Sequence, residues 1–595
     1  MRTHALALVV LFASVSTHGG AQTGADADLV VLNAKIVTVD PASSIAQAAA
    51  VRGGRFTVVG TNEQVRPLIG GRTRVIDAAG RTVIPGLIDT HVHATGVAAG
   101  EAIQPFRALD SIDAIQAWVR AEVARTPAGT WIWCPRLYPT RLRERRFPTR
   151  AELDAAAPRH PVVVDGAYAL VLNTAALRAA QITRDTPAPP GGAIVTDPDG
   201  EPTGLLRNVG GMLSRFKRAG GGSSLHHLEQ VHREYNRVGI TSVNERGATP
   251  ENYQEYEALK RENRLHVRST VTIRLPRIPE CSRESAGSAT ADALDPCPNQ
   301  VAEITRFVNG LPFRFGSGDD LLKPGPLKIV VDGGILIGTA FMREPYGPQA
   351  RELYGIEDPR YRGALTLTPQ QIRTAVAVGQ SLGWQMVAHV TGDAGVDEVL
   401  DAYEAAQSKE GAPRQRRHTL MHAYFVTPET ARRAAKLGVP VDTQPAWYYK
   451  DADALAQGLG TARLQKFLGL RTWLDAGVRT AINTDHMFGM DPDTALNPFN
   501  PFLTMYAAAT RRTQGGQIFG EDQKVTREEA LRMMTVEAAY LSFDEGNRGS
   551  IEAGKLGDLV VLSDDPLTCT PEQLRAIKAD VTVLGGKVVY ERAKK

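Results

Sequence analysis

Ile84-Pro85-Gly86-Leu87-Ile88-Asp89-Thr90-His91-Val92-His93 is the stretch from which the rest of the chain can be read. Pro85-Gly86 punctuates its start and an apolar run follows. Read as a strand, the run alternates faces, so Asp89, His91 and His93 share one side. Two neutral imidazoles projecting together make a ready bidentate metal site. Alone, the pattern describes two histidines in a polar loop better than a metal site. What gives it weight is that residues of metal-ligand type recur, in order, at the ends of later strand-like runs.

Outward from Leu87–His91, seven more apolar runs follow. They are Gly239–Asn244, His266–Ile273, Leu327–Asp332, Gln385–His389, Thr419–His422, Val439–Thr443 and Arg479–Asp485. Amphipathic stretches such as Ala394–Gln407, Pro428–Leu437 and Arg463–Ala476 lie between them and carry helical periodicity. Eight strand–helix units predict an α/β fold, a (β/α)8 TIM-like barrel with its site at the C-terminal strand ends. The barrel is expected over 86–545, with insertions at about 100–235, after the first strand, and 275–325. The first insertion has a strand-like run, Pro161–Asp165, and a Pro/Gly-rich loop from Thr186 to Gly200. The ends of the chain read differently. Asp28–Leu32, Lys35–Val39, Phe56–Gly60 and Thr73–Asp77 are short strands separated by Gly-rich turns, and Gly557–Leu562 and Val581–Tyr590 repeat that texture. One small β-sandwich built from 22–85 and 546–595 accommodates both ends.

The 595 residues are 43% hydrophobic and 22% charged, enough for a sizeable core. A net charge of +3 from 68 basic and 65 acidic residues points to neither nucleic acid nor an anionic membrane as partner. A small-molecule substrate is the expected partner, and a homo-oligomer stays open. Residues 1–21 read as an export signal: Arg2 and His4, an apolar run Ala5–Ser14 too short to span a bilayer, and Gly19-Gly20-Ala21 before Gln22. The mature chain is then expected in a periplasm or outside the cell, free of the membrane once the signal is cleaved. None of the four cysteines forms a Cys-x-x-Cys pair, which argues against a zinc knuckle. Cys281 and Cys297 are either a disulfide closing a loop, worth about 3 kcal/mol in the chain-entropy model, or two free thiols.

The C-terminal ends of the eight runs carry His91 and His93, Lys328, His389, His422 and Asp485. With Phe147-Pro148-Thr149-Arg150-Ala151-Glu152-Leu153-Asp154, Pro202-Thr203-Gly204-Leu205-Leu206-Arg207, Ala388-His389-Val390-Thr391-Gly392-Asp393, Arg417-His418-Thr419-Leu420-Met421-His422-Ala423 and Gly554-Lys555-Leu556-Gly557-Asp558-Leu559, this set resembles the amidohydrolase superfamily of metal-dependent hydrolases, in its amidohydrolase-3, YtcJ-like branch. The resemblance spans about residues 28 to 592. It implies one or two divalent metals, zinc being expected. His91 and His93 would bind one and His389 and His422 a second, with Lys328, carboxylated, bridging them. An ammonium has no lone pair to ligate, whereas CO2 addition makes the lysine an anionic oxygen ligand. Asp485 would bind the first metal, and the catalytic roles fall to Asp485 and His422: metal-bound hydroxide attacks the carbonyl carbon and Asp485 serves as general base. The implied reaction is hydrolysis of a non-peptide C–N bond in an amide, N-acyl compound or cyclic amide. An esterase or lactonase, a mononuclear deaminase and a non-catalytic binding protein are the alternatives. Lys328 has a second reading too, as a cation paired with Asp332. His418 is read as structural. Tyr168, Trp447 and His486 are the expected substrate contacts, in an apolar, aromatic-lined pocket. The chain departs from the branch at Met421, where Glu is usual, at Tyr168, at Asp332-Gly333-Gly334 and at Asn244-Glu245. None of these removes a ligand.

Overall fold

Pro85 and Gly86 divide two sheets. The computed structural model describes residues 26–216, 225–282, 296–408 and 416–593; the export segment expected over 1–21 lies outside them. Thr82–Pro85 belongs to a terminal sheet, while Leu87–Val92 (β1) opens the barrel. Gly86 makes the crossing because a Cβ there would lie 2.2 Å from the Thr241 hydroxyl oxygen.

The barrel continues through Ile240–Ala248 (β2), Arg268–Arg274 (β3), Leu322–Val330 (β4), Met386–Val390 (β5), Thr419–His422 (β6), Val441–Thr443 (β7) and Thr480–Ile482 (β8). All neighbours pair in parallel and in chain order from β1 to β8. An isolated parallel bridge between Val92 and His486 draws the ends of the row together, so the eight strands form a nearly closed barrel with helices outside. Strands such as β5 are buried along their whole length, as a parallel sheet covered on both faces requires.

Two strands run further than their apolar text suggests. β2 extends past Asn244 to Ala248, and β4 begins at Leu322, ahead of Pro324-Gly325-Pro326. The register between β3 and β4 shifts between Val271 and Ile273, and Pro324 stands opposite Val271 at that irregularity, the kind of position where a strand tolerates proline. The helix expected over Arg463–Ala476 is two short helices, Thr461–Leu464 and Leu470–Asp475, parted at Gly469.

The chain ends form two sheets that face each other. One holds four strands, in the order Arg55–Gly60, Ala48–Arg52, Leu29–Leu32, Arg74–Asp77. The other holds six and joins both termini, because Leu559–Leu562 pairs with Thr82–Pro85. Leu29, Val31, Phe56, Val83, Leu559 and Val561 fill the space between them. The segment after β1 carries its own five-stranded sheet, which includes Val162–Asp165. Ala193–Thr196, within the stretch expected to be loop, is its edge strand. Cys281 and Cys297 are disulfide-bonded with Cα atoms 5.8 Å apart.

Candidate metal centre

His91 leaves β1 on the face predicted by alternation, and His93 follows where the strand gives way to the helix Ala94–Ile103. Asp485 arrives just after β8. His91 Nε2 lies 3.4 Å and His93 Nε2 3.3 Å from the same oxygen, Asp485 Oδ1. One ligand atom from each of the three falls within 4.8 Å of the others. A second pair sits alongside: the His389 and His422 ring centroids are 4.4 Å apart, and His422 is 5.2 Å from His91. Lys328 is buried and lines the same cavity.

Both ring nitrogens of His91, Nε2 of His422 and Oδ1 of Asp485 are buried with no hydrogen-bond partner. Buried polar atoms are ordinarily satisfied, so atoms unpartnered among the described residues on three neighbouring side chains are the mark of a site shaped for a ligand. The remaining hydrogen bonds fix the tautomers. His422 Nδ1 donates to Gln444 Oε1 at 2.7 Å, leaving Nε2 as a lone pair. His389 Nε2 donates to the Gly333 carbonyl at 3.1 Å, leaving Nδ1. Such outer contacts orient metal-binding imidazoles. Burial, reinforced by neighbouring cations, drives His91 and His389 well below the ordinary histidine range and His422 to about 4. All three are therefore neutral at physiological pH, the form that ligates. Burial also brings Lys328 down to about 7. His422 (φ 72°) and Asp485 (φ 49°) sit in left-handed backbone, unfavourable for non-glycine residues. Strain of this kind collects at functional sites.

A polar lattice beneath the ligands was not legible in the sequence. Asp89 does not enter the ligand group. Its carboxylate accepts from the His91 and Thr484 amides and the Thr484 hydroxyl, tying β1 to the segment that carries Asp485. Asp442 on β7 accepts from Thr90, Arg246 and Asn483. Glu245 accepts from the Ala94 amide, the Thr95 hydroxyl and Tyr256, holding the turn after His93. Gln444 takes Tyr424 as a second donor and donates to Asn483. The only sequence signal for these residues was polar text at strand ends. Asp332 accepts from the Phe341, Thr391 and Gly392 amides, so the expected alternative of a Lys328–Asp332 pair is not what is seen. His418 bonds Gln380 and the Met386 amide within the core.

The cavity above the ligands measures about 370 Å³. Tyr168 and Trp447 line it, with Ile335, Leu336, Ile337, Met487 and Phe488. Tyr168 lies against His389, ring centroids 5.3 Å apart. His486 does not line it. Its Nδ1 meets the Tyr235 hydroxyl at 2.8 Å and its Nε2 donates to the Gly489 carbonyl, with Phe499 packed on the ring. The left-handed turn at Asp485 breaks the strand alternation and sends the next side chain into the core. Arg136, Tyr138, Arg246 and Arg274 reach the wall and were not anticipated.

Comparison with known proteins agrees with this picture. A family model described as "Amidohydrolase family" matches residues 74–590. The N-substituted formamide deformylase of Arthrobacter pascens is 29% identical over 580 residues, covering 95% of this chain and 98% of that protein. YtcJ of Bacillus subtilis (strain 168), named as an amidohydrolase, is 26% identical over 557 residues, covering 92% and 96%. Among solved structures, an uncharacterized metal-dependent hydrolase from Pyrococcus horikoshii OT3 superimposes with a TM-score of 0.65 at 19% identity, covering 91% of this chain and 99% of that one. That last likeness is one of fold.

Proposed function

The chain belongs to the amidohydrolase family, hydrolases of carbon–nitrogen bonds in small molecules, and from that premise we propose that it is a metal-dependent enzyme cleaving a non-peptide amide, N-acyl or cyclic amide bond with Asp485 as general base. The observation that carries the reading is the convergence of His91, His93 and Asp485 with unpartnered buried donor atoms at the C-terminal barrel mouth. The donor set, imidazole and carboxylate, fits zinc or a similar divalent ion. His91, His93 and Asp485 would hold one ion and His389 and His422 a second. A bound ion supplies Lewis acidity and lowers the pKa of water.

The chain's own groups do the rest. Asp485 Oδ1 faces both His91 and His93, so it can take a proton from the attacking water. The water oxygen bonds to the carbonyl carbon, the C–N bond breaks, and Asp485 returns the proton to the leaving nitrogen. His422, held by Gln444, keeps one lone pair aimed at the centre. Lys328, brought to about 7, presents a substantial fraction of free amine near neutrality. That amine could add CO2 and lose a proton, and the carbamate so formed would supply anionic oxygen donors beside the histidines. The Cys281–Cys297 bond supports a working place outside the cytoplasm, where disulfides persist.

Metal content of the purified chain, expressed with and without bicarbonate, tests the reading. About two ions per chain are expected, falling to about one in Lys328→Ala. No metal after metal-replete expression overturns it.

A further inference from the structure

Three of the four cations on the cavity wall are accounted for. Arg136 is forked on Asp165 and lies over the Phe488 ring. Arg246 is locked to Asp442. Lys328, in register with Arg274 across β3 and β4, is buried among the candidate ligands. Arg274, at the end of β3, is different: it is exposed, it lines the cavity, and among the described residues its guanidinium has no carboxylate or hydrogen-bond partner. Tyr168 lines the same cavity, and its hydroxyl also makes no hydrogen bond among the described residues. Among the described residues the only carboxylate on the cavity wall, Asp485, is turned to the histidines. A cation at the mouth is thus left for something that arrives with the substrate.

The barrel order places β7 four strands from β3, on the opposite side of the ring. That side presents aromatic rings to the cavity, with the Arg141 guanidinium packed on two of them, Tyr138 and Trp447. The helix Pro445–Leu459, which follows β7, carries Trp447 5.7 Å from the Tyr138 ring, and the Tyr138 hydroxyl touches the Met487 sulfur at 3.4 Å. The ligand group lies between these two walls. An amide positioned over it would send one substituent toward a guanidinium and the other toward aromatic rings.

We propose that the substrate is an amide with a carboxylate on one side of the scissile C–N bond and an aromatic or long apolar group on the other, the carboxylate being taken by Arg274 with Tyr168. The inference rests on the proposed C–N hydrolysis for where the bond is placed. Arg274 is a specificity residue here and takes no part in proton transfer.

Two pairs of probes test it on the metal-loaded full chain. N-benzoylglycine is set against N-methylbenzamide, and N-benzylsuccinamic acid against N-benzylpropanamide; the members of each pair differ only by the carboxylate. Affinity is read as KM where a compound is cleaved and as a calorimetric Kd where it is not. Wild type is expected to favour the acid of at least one pair by about tenfold or more. Arg274→Gln should abolish that preference and Arg274→Lys retain part of it. No preference in wild type, or a preference preserved to within about twofold in Arg274→Gln, overturns the inference. Cleavage of the neutral amides without any preference for acids leaves the hydrolase reading standing and this inference fallen. Acids that bind through Arg274 while nothing is cleaved would leave the carboxylate site standing and overturn the hydrolase reading together with the placement of the scissile bond.

Discussion

Asp485 carries more of the proposed chemistry than any other side chain. Its Oδ1 is buried, unpartnered by any hydrogen bond and 3.3–3.4 Å from two imidazoles. Asp485→Asn keeps the shape and a carbonyl oxygen for the ion but removes the base. Turnover is expected to fall by about 10²–10⁴-fold, the usual worth of a positioned base, while metal content stays above half of wild type. Unchanged turnover would rule out the assigned role. A buried histidine away from the centre bears on acid stability. His232 is buried against the Tyr235 and Tyr256 rings, and neither of its ring nitrogens has a partner. Burial lowers its pKa from 6.5 to about 3. Above 6.5 both folded and unfolded chains hold it neutral and the term vanishes. As pH falls from 6.5 toward 3, the unfolded chain takes up a proton that the folded chain refuses, so stability is lost at about 1.4 kcal/mol per pH unit. His418, also lowered to about 3, adds a similar slope. His232→Phe is expected to flatten the acid limb of a stability–pH curve by about one proton's worth; an unaltered slope would show that burial does not hold this imidazole neutral.

At the level of elements, the barrel is pinned from inside by one buried pair. Arg246 on β2 and Asp442 on β7 meet at 3.0 Å, both almost wholly buried. Arg246 also donates to the Thr90 carbonyl on β1, and Asp442 receives Thr90 and Asn483. Four strand segments thereby share one charge pair under the ligands. Asp442→Ala leaves the guanidinium buried and uncompensated, and is expected to cost about 3–5 kcal/mol in denaturant titration, since breaking a buried pair costs more than never having it. A loss under about 1 kcal/mol would mean that water or another acceptor replaces the carboxylate. This pair also shows where sequence reading stops. His91, His93, His389, His422 and Asp485 were legible because strand period and strand ends are local properties. Arg246 and Asp442 join segments up to 352 positions apart along the chain, and no local pattern marks such partners. His486 was misplaced for the opposite reason. Adjacency to Asp485 suggested the pocket, but the left-handed backbone at Asp485 reverses the direction in which the next residue points.

At the scale of the whole molecule, the terminal sandwich and the candidate metal centre are one continuous structure. Thr82–Pro85 pairs with Leu559–Leu562, and a single glycine later the same segment becomes β1 with His91. Arg268, which opens β3, is forked on Asp558, at the start of the C-terminal strands. The chain's last strands therefore hold the entry to β1, the strand that carries His91. Val560 is fully buried and stands opposite Ile84 in that pairing. Val560→Asp puts a carboxylate where no partner awaits it, at a cost of several kcal/mol. Because the strand it disturbs runs directly into β1, metal content and activity are expected to fall in step with the sandwich on heating, with one shared transition by circular dichroism and by metal release. If the variant lost the sandwich first and kept its metal and turnover through a separate, higher transition, the two parts would be independent folding units and the barrel would need no closure from the chain ends.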